Sequence, residues 1–206
     1  MTRRKIIGAG IGIVVILVVI IIAIVLFKTS SSSVTPAEVP PSSNAPAALT
    51  KVYDNKDSRY SIKYPEDWEY DVPGQGTVVF NGKKGTPAFY STVNIQTVLT
   101  KSTGGDYSTV NEFISDIKNQ ALKQFADAKF IDNGPVTLPS PQGQDLKGEF
   151  ITFTYSYNNI PFKQWQIVLL RNDNQVFYAW AYTSPVDQYE NDLATAKEMF
   201  KSWVIY

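Results

Sequence analysis

Residues 176–183 read Val-Phe-Tyr-Ala-Trp-Ala-Tyr-Thr, and both faces of the strand that they predict are apolar. One face carries Tyr178, Trp180 and Tyr182, and the other carries Phe177 with two alanines. A strand that is apolar on both sides is covered on both sides, and the alanines allow a helix to approach closely. The stretch therefore predicts a sheet packed between helices, which is an α+β domain.

Two further strands are predicted just before this one. Apolar and polar residues alternate from Ile151 to Tyr157, and a second apolar segment follows after Asn158 and Asn159. Asparagine and aspartate at 172–174 supply the next turn. We therefore expect residues 146–183 to form a three-stranded antiparallel meander.

Two helices are predicted around this meander. The first begins with Thr109 and Glu112, which form a capping box. Its apolar positions keep helical spacing: Val110, Phe113, Ile114, Ile117, Ala121 and Phe125. The second is predicted to begin at Ser184 as the N-cap, with Pro185 as the first helical residue.

The N-terminal half of the domain predicts more strands and turns. Tyr60, Ile62 and Tyr64 alternate with polar residues in a strand that ends at Pro65. The apolar residues 78–80 run into Asn81-Gly82, a pair typical of a tight hairpin, and a further strand is expected over about 88–99. Asn133-Gly134-Pro135 predicts another break in the chain.

The N-terminus contains an unbroken apolar run of 22 residues, Ile6 to Phe27. As a helix it would extend roughly 33 Å, enough to cross a bilayer core of about 30 Å. The basic residues at 3–5 place the N-terminus in the cytoplasm. We therefore predict a cytoplasmic tail (1–5), a transmembrane helix in the lipid bilayer (6–27), a disordered Ser/Pro-rich linker (28–50) and an extracytoplasmic domain (51–206).

Two alternatives for the apolar run stay open. The first is a cleaved signal peptide, whose apolar core is usually only about 7–15 residues long. The second adds weak dimerisation to the membrane anchor, because Gly8 and Gly12 form the G-x-x-x-G spacing that lets two membrane helices approach.

Composition excludes several classes of function. The chain contains no cysteine and no histidine, which excludes disulfides, thiol nucleophiles, Cys/His zinc sites and histidine-based triads. Its formal net charge is zero, so no basic surface for nucleic acid is indicated. We expect no cofactor and no metal.

Two sequence pieces resemble the PsbP family, the extrinsic photosystem II subunits and their bacterial and archaeal relatives. The first is Tyr60-Ser-Ile-Lys-Tyr-Pro-Glu-Asp-Trp68, and the second runs from Tyr178 to Trp203 with Phe200-Lys-Ser-Trp203 at its end. The resemblance covers about 52–205 and implies an α/β/α sandwich around a twisted antiparallel sheet. It also implies a non-enzymatic role in binding or assembling protein complexes. The histidines that some plant relatives use for metal have no counterpart here.

Aromatic residues provide the candidate binding site. They lie on strands that we expect to be neighbours in the meander, and tyrosine and tryptophan combine apolar area with a polar tip. The candidates are Tyr155, Tyr157, Tyr178, Trp180 and Tyr182. These side chains either form a binding face or pack in the core beneath a helix.

The sequence thus favours a single-pass membrane protein whose domain binds a protein partner outside the cell, without catalysis. One alternative is a small-ligand-binding or sensory module that uses an aromatic groove. A less favoured one is a cell-wall hydrolase, which would use Ser115 with Lys118, or the adjacent carboxylates of Glu66 and Asp67.

Overall fold

The structure is a computed structural model that describes residues 45–141 and 143–206. Ten strands and two α-helices lie in these ranges. In chain order they are β1 (Leu49–Asn55), β2 (Tyr60–Pro65), β3 (Trp68–Gly74), β4 (Thr77–Gly82), β5 (Thr92–Leu99), α1 (Val110–Gln124), β6 (Lys129–Leu138), β7 (Leu146–Tyr157), β8 (Ile160–Leu170), β9 (Val176–Pro185), α2 (Tyr189–Lys201) and β10 (Val204–Ile205).

The strands form two antiparallel sheets. The larger has seven strands in the order β3-β4-β5-β9-β8-β7-β6, and the smaller has the order β1-β2-β10. The predicted meander is confirmed as β7-β8-β9, with Ile167 opposite Trp180 in the register. Strand β9 lies between β5 and β8 and is buried along its whole length, which accounts for its two apolar faces.

Each face of the large sheet carries its own core. On one face Phe177 and Ala179 pack with Phe113 and Ile117 of α1. On the other, Trp180 packs with α2 and with β2 of the small sheet. The prediction of an α+β domain with helices on both faces is confirmed, and the small sheet is an additional layer on the α2 side.

The start of α1 was predicted correctly. The Thr109 side chain accepts a hydrogen bond from the Glu112 backbone N–H at 3.1 Å. The Glu112 carboxylate in turn accepts one from the Ser108 N–H at 2.6 Å. The capping box and the apolar face of the sequence therefore both favour a helix that begins here.

The predicted start of the last helix is wrong. Helix α2 begins at Tyr189, because Ser184 and Pro185 are still part of β9 and pair with Lys163 and Phe162 of β8. The Ser184 hydroxyl lies 3.0 Å from that of Ser91 and does not cap the helix. Strand pairing has overridden a local cap signal.

Two predicted turns are also wrong. Asn81 and Gly82 remain in β4, opposite Glu69 and Trp68 of β3, a strand that is not among the predicted ones. The tight turn lies before β4 instead, where Gly76 has a φ of 76°.

The segment 133–135 continues β6 and does not break the chain. Strand β6 lies at the edge of the large sheet, where a proline such as Pro135 removes no ladder hydrogen bond on its open side.

The predicted membrane segments lie outside the described residues. These are the tail (1–5), the transmembrane helix (6–27) with Gly8 and Gly12, and most of the linker (28–50). In the described ranges no helix has the length and apolar character needed to cross a bilayer. The first strand begins at Leu49, slightly before the predicted domain boundary at 51.

A chain of hydroxyl groups links β9 to α2. Ser184 and Ser91 lie within hydrogen-bond distance, and the Ser91 hydroxyl lies 2.7 Å from the Asp192 carboxylate on α2. Burial raises the pKa of Asp192 above its ordinary value of 3.8, and the neighbouring negative charge of Asp67 adds to this, although the bond from Ser91 opposes it. The ionised carboxylate is therefore costly in the folded state.

This carboxylate should make stability fall as the pH rises. Between pH 3.8 and the higher folded-state pKa of Asp192, the folded protein holds a proton that the unfolded chain has lost. Asp192→Asn keeps an acceptor for Ser91 and removes the charge. We expect its urea midpoint to fall less than that of the wild type between pH 4 and 7, whereas Asp187→Asn, at an exposed position, should follow the wild type. If the urea midpoints of Asp192→Asn and the wild type fell equally with pH, the Asp192 carboxylate would not be the cause of the pH dependence.

Candidate functional site

Three of the five predicted aromatic residues lie together in the core. Tyr178, Trp180 and Tyr182 line the α2 side of β9 and have no exposed surface. The Tyr178 hydroxyl donates to the Ser58 carbonyl at 2.6 Å, and the Tyr182 hydroxyl donates to the Tyr189 carbonyl at 2.8 Å. As packed, these side chains hold the layers of the domain together.

The other two predicted residues lie on the opposite face. Tyr155 and Tyr157 are on β7, which β8 separates from β9, so the expected neighbouring strands are not adjacent. Tyr155 is buried beneath α1 with its ring centroid 4.3 Å from that of Phe125, and Tyr157 is half-buried. The structure does not bring the five side chains together, and their assignment to binding stays a prediction.

An exposed aromatic cluster lies elsewhere, where β1 of the small sheet meets β3 of the large one. The ring centroids of Tyr53 and Tyr70 are 5.0 Å apart in an edge-to-face contact. Tyr70 is 49% exposed, and Val72, two residues further along β3, is 51% exposed. We call Tyr53, Tyr70 and Val72 the tyrosine patch.

The tyrosine patch rests on a buried aromatic base. The Phe80 ring is fully buried and lies 5.6 Å from Tyr53 and 6.2 Å from Tyr70, measured between centroids. Tyr64, also buried, lies 6.0 Å from Tyr70. Packing on this base restricts the rotamers of the exposed rings, so little side-chain entropy remains to be lost when a partner covers them.

The edge strand that carries the patch is protected against strand addition. Asp71 accepts a hydrogen bond from the Val72 N–H at 2.8 Å, and Pro73 has no N–H to offer. The register of β3 also shifts between Asp71 and Gly74. A partner would therefore contact side chains of the patch and not extend the sheet.

The sequence contains a signal for the strand that carries this patch, and that strand is not among those predicted above. From Trp68 to Val72 apolar residues alternate with Glu69 and Asp71, which is the pattern of a strand with one apolar face. What the pattern could not supply is the contact with Tyr53, because that residue comes from the other sheet.

A polar cleft lies at one end of the large sheet. It has a volume of about 270 Å³, and its walls come from the turns at 59 and 171–173, from the loop before β7 and from the C-terminal residues. Its lining residues include Arg59, Arg171, Asp173, Asn172, Gln144, Leu146, Ile205 and Tyr206. This cleft differs from the aromatic groove that the sequence suggested for a small ligand.

The candidate hydrolase residues lie on the surface. Ser115 is exposed on α1, and the Lys118 ammonium lies 5.8 Å from the centroid of the Phe130 ring. The Glu66 carboxylate accepts a hydrogen bond from Thr50 at 2.9 Å. Within the described part of the chain, no three carboxylates are grouped so that they could hold a metal ion.

Comparison with solved structures identifies the fold. Cyanobacterial PsbP (CyanoP) from Synechocystis sp. PCC 6803 superposes with a TM-score of 0.52 at 15% identity, over 87% of this chain and 99% of that protein. The domain has a PsbP-like fold. No family model matches the chain, and no curated protein matches it. The resemblance found in the sequence is thus confirmed for the fold.

Two further structures are similar to the PsbP-like domain. The Ran-binding protein Mog1p of Saccharomyces cerevisiae has a TM-score of 0.50 at 9% identity, over 77% of this chain and 96% of Mog1p. A protein from Bacteroides thetaiotaomicron VPI-5482 has a TM-score of 0.45 at 13% identity over 77% of this chain. The chain spans 49% of the length of that Bacteroides protein.

Proposed function

We propose that this chain is a single-pass membrane protein whose extracytoplasmic PsbP-like domain binds a protein partner through the tyrosine patch, without catalysing a reaction. The observation that carries the proposal is the exposed Tyr70, packed against Tyr53 on a buried aromatic base, with the exposed Val72 two residues further along β3. The apolar run 6–27 with basic residues before it supports the membrane anchor.

The chemistry of the patch supports recognition of a protein. Tyrosine presents a large apolar ring and a hydroxyl that can donate or accept, and it is enriched at the centres of protein interfaces. Tyrosine is ordinarily protonated at neutral pH and valine has no reactive group, so the patch favours binding over catalysis. Mog1p is described as Ran-binding, and it supports the proposal as a similar fold that binds a protein.

Because the chain contains no cysteine, a single introduced thiol can test both the location and the partner. In sealed cells, the Val72→Cys variant should react with a membrane-impermeant maleimide that carries a photocrosslinker. Illumination should then join it to a second protein, which mass spectrometry would identify. Adding Tyr70→Ala should reduce the crosslinked product about tenfold or more, as expected for truncation of an interface anchor, while Tyr70→Phe keeps the ring and should retain most of it.

The matched control is Val186→Cys, an exposed valine near the start of α2. It should be labelled to a similar extent but should give no crosslink to the same protein. Labelling of both variants only after lysis would contradict the extracytoplasmic location. Identical crosslinks from both positions would contradict the assignment of the tyrosine patch.

A further inference from the structure

Three rows of side chains cross β4, β5, β9 and β8 on the face of the large sheet that carries α1. From β4 to β8, the rows are Asn81, Thr92, Thr183 and Gln164; Val79, Asn94, Ala181 and Gln166; and Thr77, Gln96, Ala179 and Val168. Long amide side chains thus stand on β5 and β8, with small alanines between them on β9. Because neighbouring strands are about 4.8 Å apart, β5 and β8 flank a trough roughly 10 Å wide. We call these three rows the amide trough.

Part of the amide trough lies outside both hydrophobic cores. Helix α1 packs mainly over β7 and β8, and its core includes Ala179 but not Ala181. Val79 and Ala181 are only 2% and 1% exposed, yet neither belongs to the core on either face of the sheet. Asn94, which lies between them in the middle row, is also buried. The apolar faces of the two helices therefore do not account for the cover over this row.

The trough also contains polar atoms that lack a partner. The Oε1 atoms of Gln96 and Gln164 and the Oγ1 of Thr77 have no hydrogen-bond partner within the described part of the chain. All three side chains are more than nine-tenths buried. The Gln164 Nε2 donates to the Gln166 Oε1 at 2.8 Å, so only one end of that amide is satisfied. Since unpaired buried polar groups are costly, these oxygens indicate that a segment with hydrogen-bond donors covers the trough.

The chain itself contains a segment with this chemistry. Residues 28–44, which we call the linker segment, lie outside the described ranges and lead directly into the domain. They are rich in serine and proline, and their only charged residues are Lys28 and Glu38. An extended proline-rich chain makes no internal backbone hydrogen bonds, so its N–H groups are free to donate.

The apolar run 6–27 fits the trough less well. In a helix its interior N–H groups are already bonded to its own carbonyls, and its side chains offer no donor. It would leave the buried oxygens of the trough unpaired. Asparagine and glutamine side chains, by contrast, can both donate to and accept from an extended backbone. The amide trough therefore matches the linker segment.

The entry point of the linker segment is compatible with this path. The Ala47 N–H donates to the Thr195 hydroxyl of α2 at 2.9 Å. Asp192, one helical turn before Thr195, accepts a hydrogen bond from Ser91, the residue before β5. Ala47 thus lies near the end of the sheet at which the trough begins. At about 3.3 Å per residue the linker segment can extend roughly 55 Å, several times the radius of gyration of about 15 Å expected for this domain.

We propose that the linker segment docks in the amide trough as an extended chain, with its backbone bonded to the amide side chains and its small side chains over Ala181. Because segment and trough belong to one chain, contacts too weak to hold a free peptide suffice. The trough lies on the opposite face of the large sheet from Tyr70, so the inference does not depend on the tyrosine patch. If residues 6–27 span the bilayer as proposed, docking also keeps the domain close to the membrane.

Hydrogen exchange of the full-length protein in lipid nanodiscs, followed by mass spectrometry, tests the docking. Amides of the linker segment should exchange at least tenfold more slowly than those of a synthetic peptide with the sequence of residues 28–44. Exchange at the rate of the free peptide would overturn the proposal.

A photocrosslinker shows where the linker segment lies. The chain has no cysteine, so Ala37→Cys can be labelled at one position with benzophenone maleimide. Illumination in nanodiscs should give crosslinks within one chain to peptides of β4, β5 or β9 that contain trough residues. Crosslinks only between two copies would assign the trough to a second chain, and crosslinks only to the α2 side would exclude the trough. Either result would overturn the proposal.

Variants test the contribution of the trough. Ala181→Lys places a long charged side chain on its floor and should bring exchange of the linker segment to within twofold of the free peptide. Ala126→Lys makes the same change at an exposed alanine between α1 and β6 and should leave the protection unchanged.

A second variant decides the question if Ala181→Lys does not fold. The double variant Gln96→Met, Gln164→Met keeps the size of both side chains but removes their hydrogen bonds to the linker segment. Loss of protection in the linker segment, with a melting temperature no lower than that of the wild type, supports the proposal. Full protection in the double variant would show that these amides do not bind the segment and would overturn it.

Discussion

Trp180→Ala should lower the free energy of unfolding by about 3–5 kcal/mol, the usual cost of truncating a buried tryptophan. The side chain has no exposed surface and lies on the central strand β9. Its ring centroid is 5.1 Å from that of Trp165 and 5.4 Å from that of Phe200 on α2. Alanine would leave a cavity between sheet and helix that neither partner can fill. Urea denaturation followed by tryptophan fluorescence and circular dichroism measures the loss.

Tyr70→Ala serves as the comparison, because it truncates an aromatic side chain that is exposed and not buried in the core. Tyr70 is half exposed on an edge strand, so its truncation should cost roughly 1 kcal/mol while disrupting partner binding. If Trp180→Ala unfolded within about 1 kcal/mol of the wild type, the packing described for β9 would be wrong. Trp180 would then again be a candidate for binding.

The parts of the fold that the sequence predicted correctly are those where several signals agree. The strand at 176–183 is apolar on both faces, and the structure places it between β5 and β8. Helix α1 combines a capping box with an apolar face that matches its buried residues. In both places local propensity and tertiary packing favour the same conformation.

The errors occur where a local signal and strand pairing disagree. Ser184 and Pro185 have the chemistry of a helix start, yet both extend β9 because β8 offers them partners. Pro135 suggests a break, yet an edge strand tolerates it. A single sequence shows the local preference at such positions but not the neighbouring strand that overrides it.

The sites were harder to predict than the fold because they are built from distant residues. Alternation within β7 and β9 gives the two faces of each strand, but it does not reveal which face of each strand lies beneath which helix. The tyrosine patch joins β1 to β3, strands of different sheets. The polar cleft brings together Arg59 and Tyr206, which are close in space but far apart in the sequence. The sequence predicted tyrosines as binding residues, and the proposed patch also uses tyrosines, but at positions that the sequence did not indicate.

Gly148→Ala should also have a large effect, a loss of at least about 3 kcal/mol, for a steric reason. Gly148 lies in β7 opposite Leu169 of β8. A Cβ atom there would stand 1.9 Å from the Val168 carbonyl oxygen and 2.9 Å from the Leu169 Cδ2. The first contact involves backbone, so a side-chain rotation cannot relieve it, and β7 and β8 would have to separate at this end of their pairing.

Gly74→Ala is the matched control, because a Cβ atom at Gly74 of β3 would meet nothing within 4 Å. We expect its urea midpoint to stay close to that of the wild type, whereas Gly148→Ala should unfold at much lower urea or accumulate as insoluble protein. Since only the register that places Gly148 against the Val168 carbonyl creates the clash, the pair of variants tests how β7 and β8 are aligned. A soluble Gly148→Ala protein with the wild-type midpoint would mean that this alignment is wrong, and with it the assignment of Tyr155 to the buried face beneath α1.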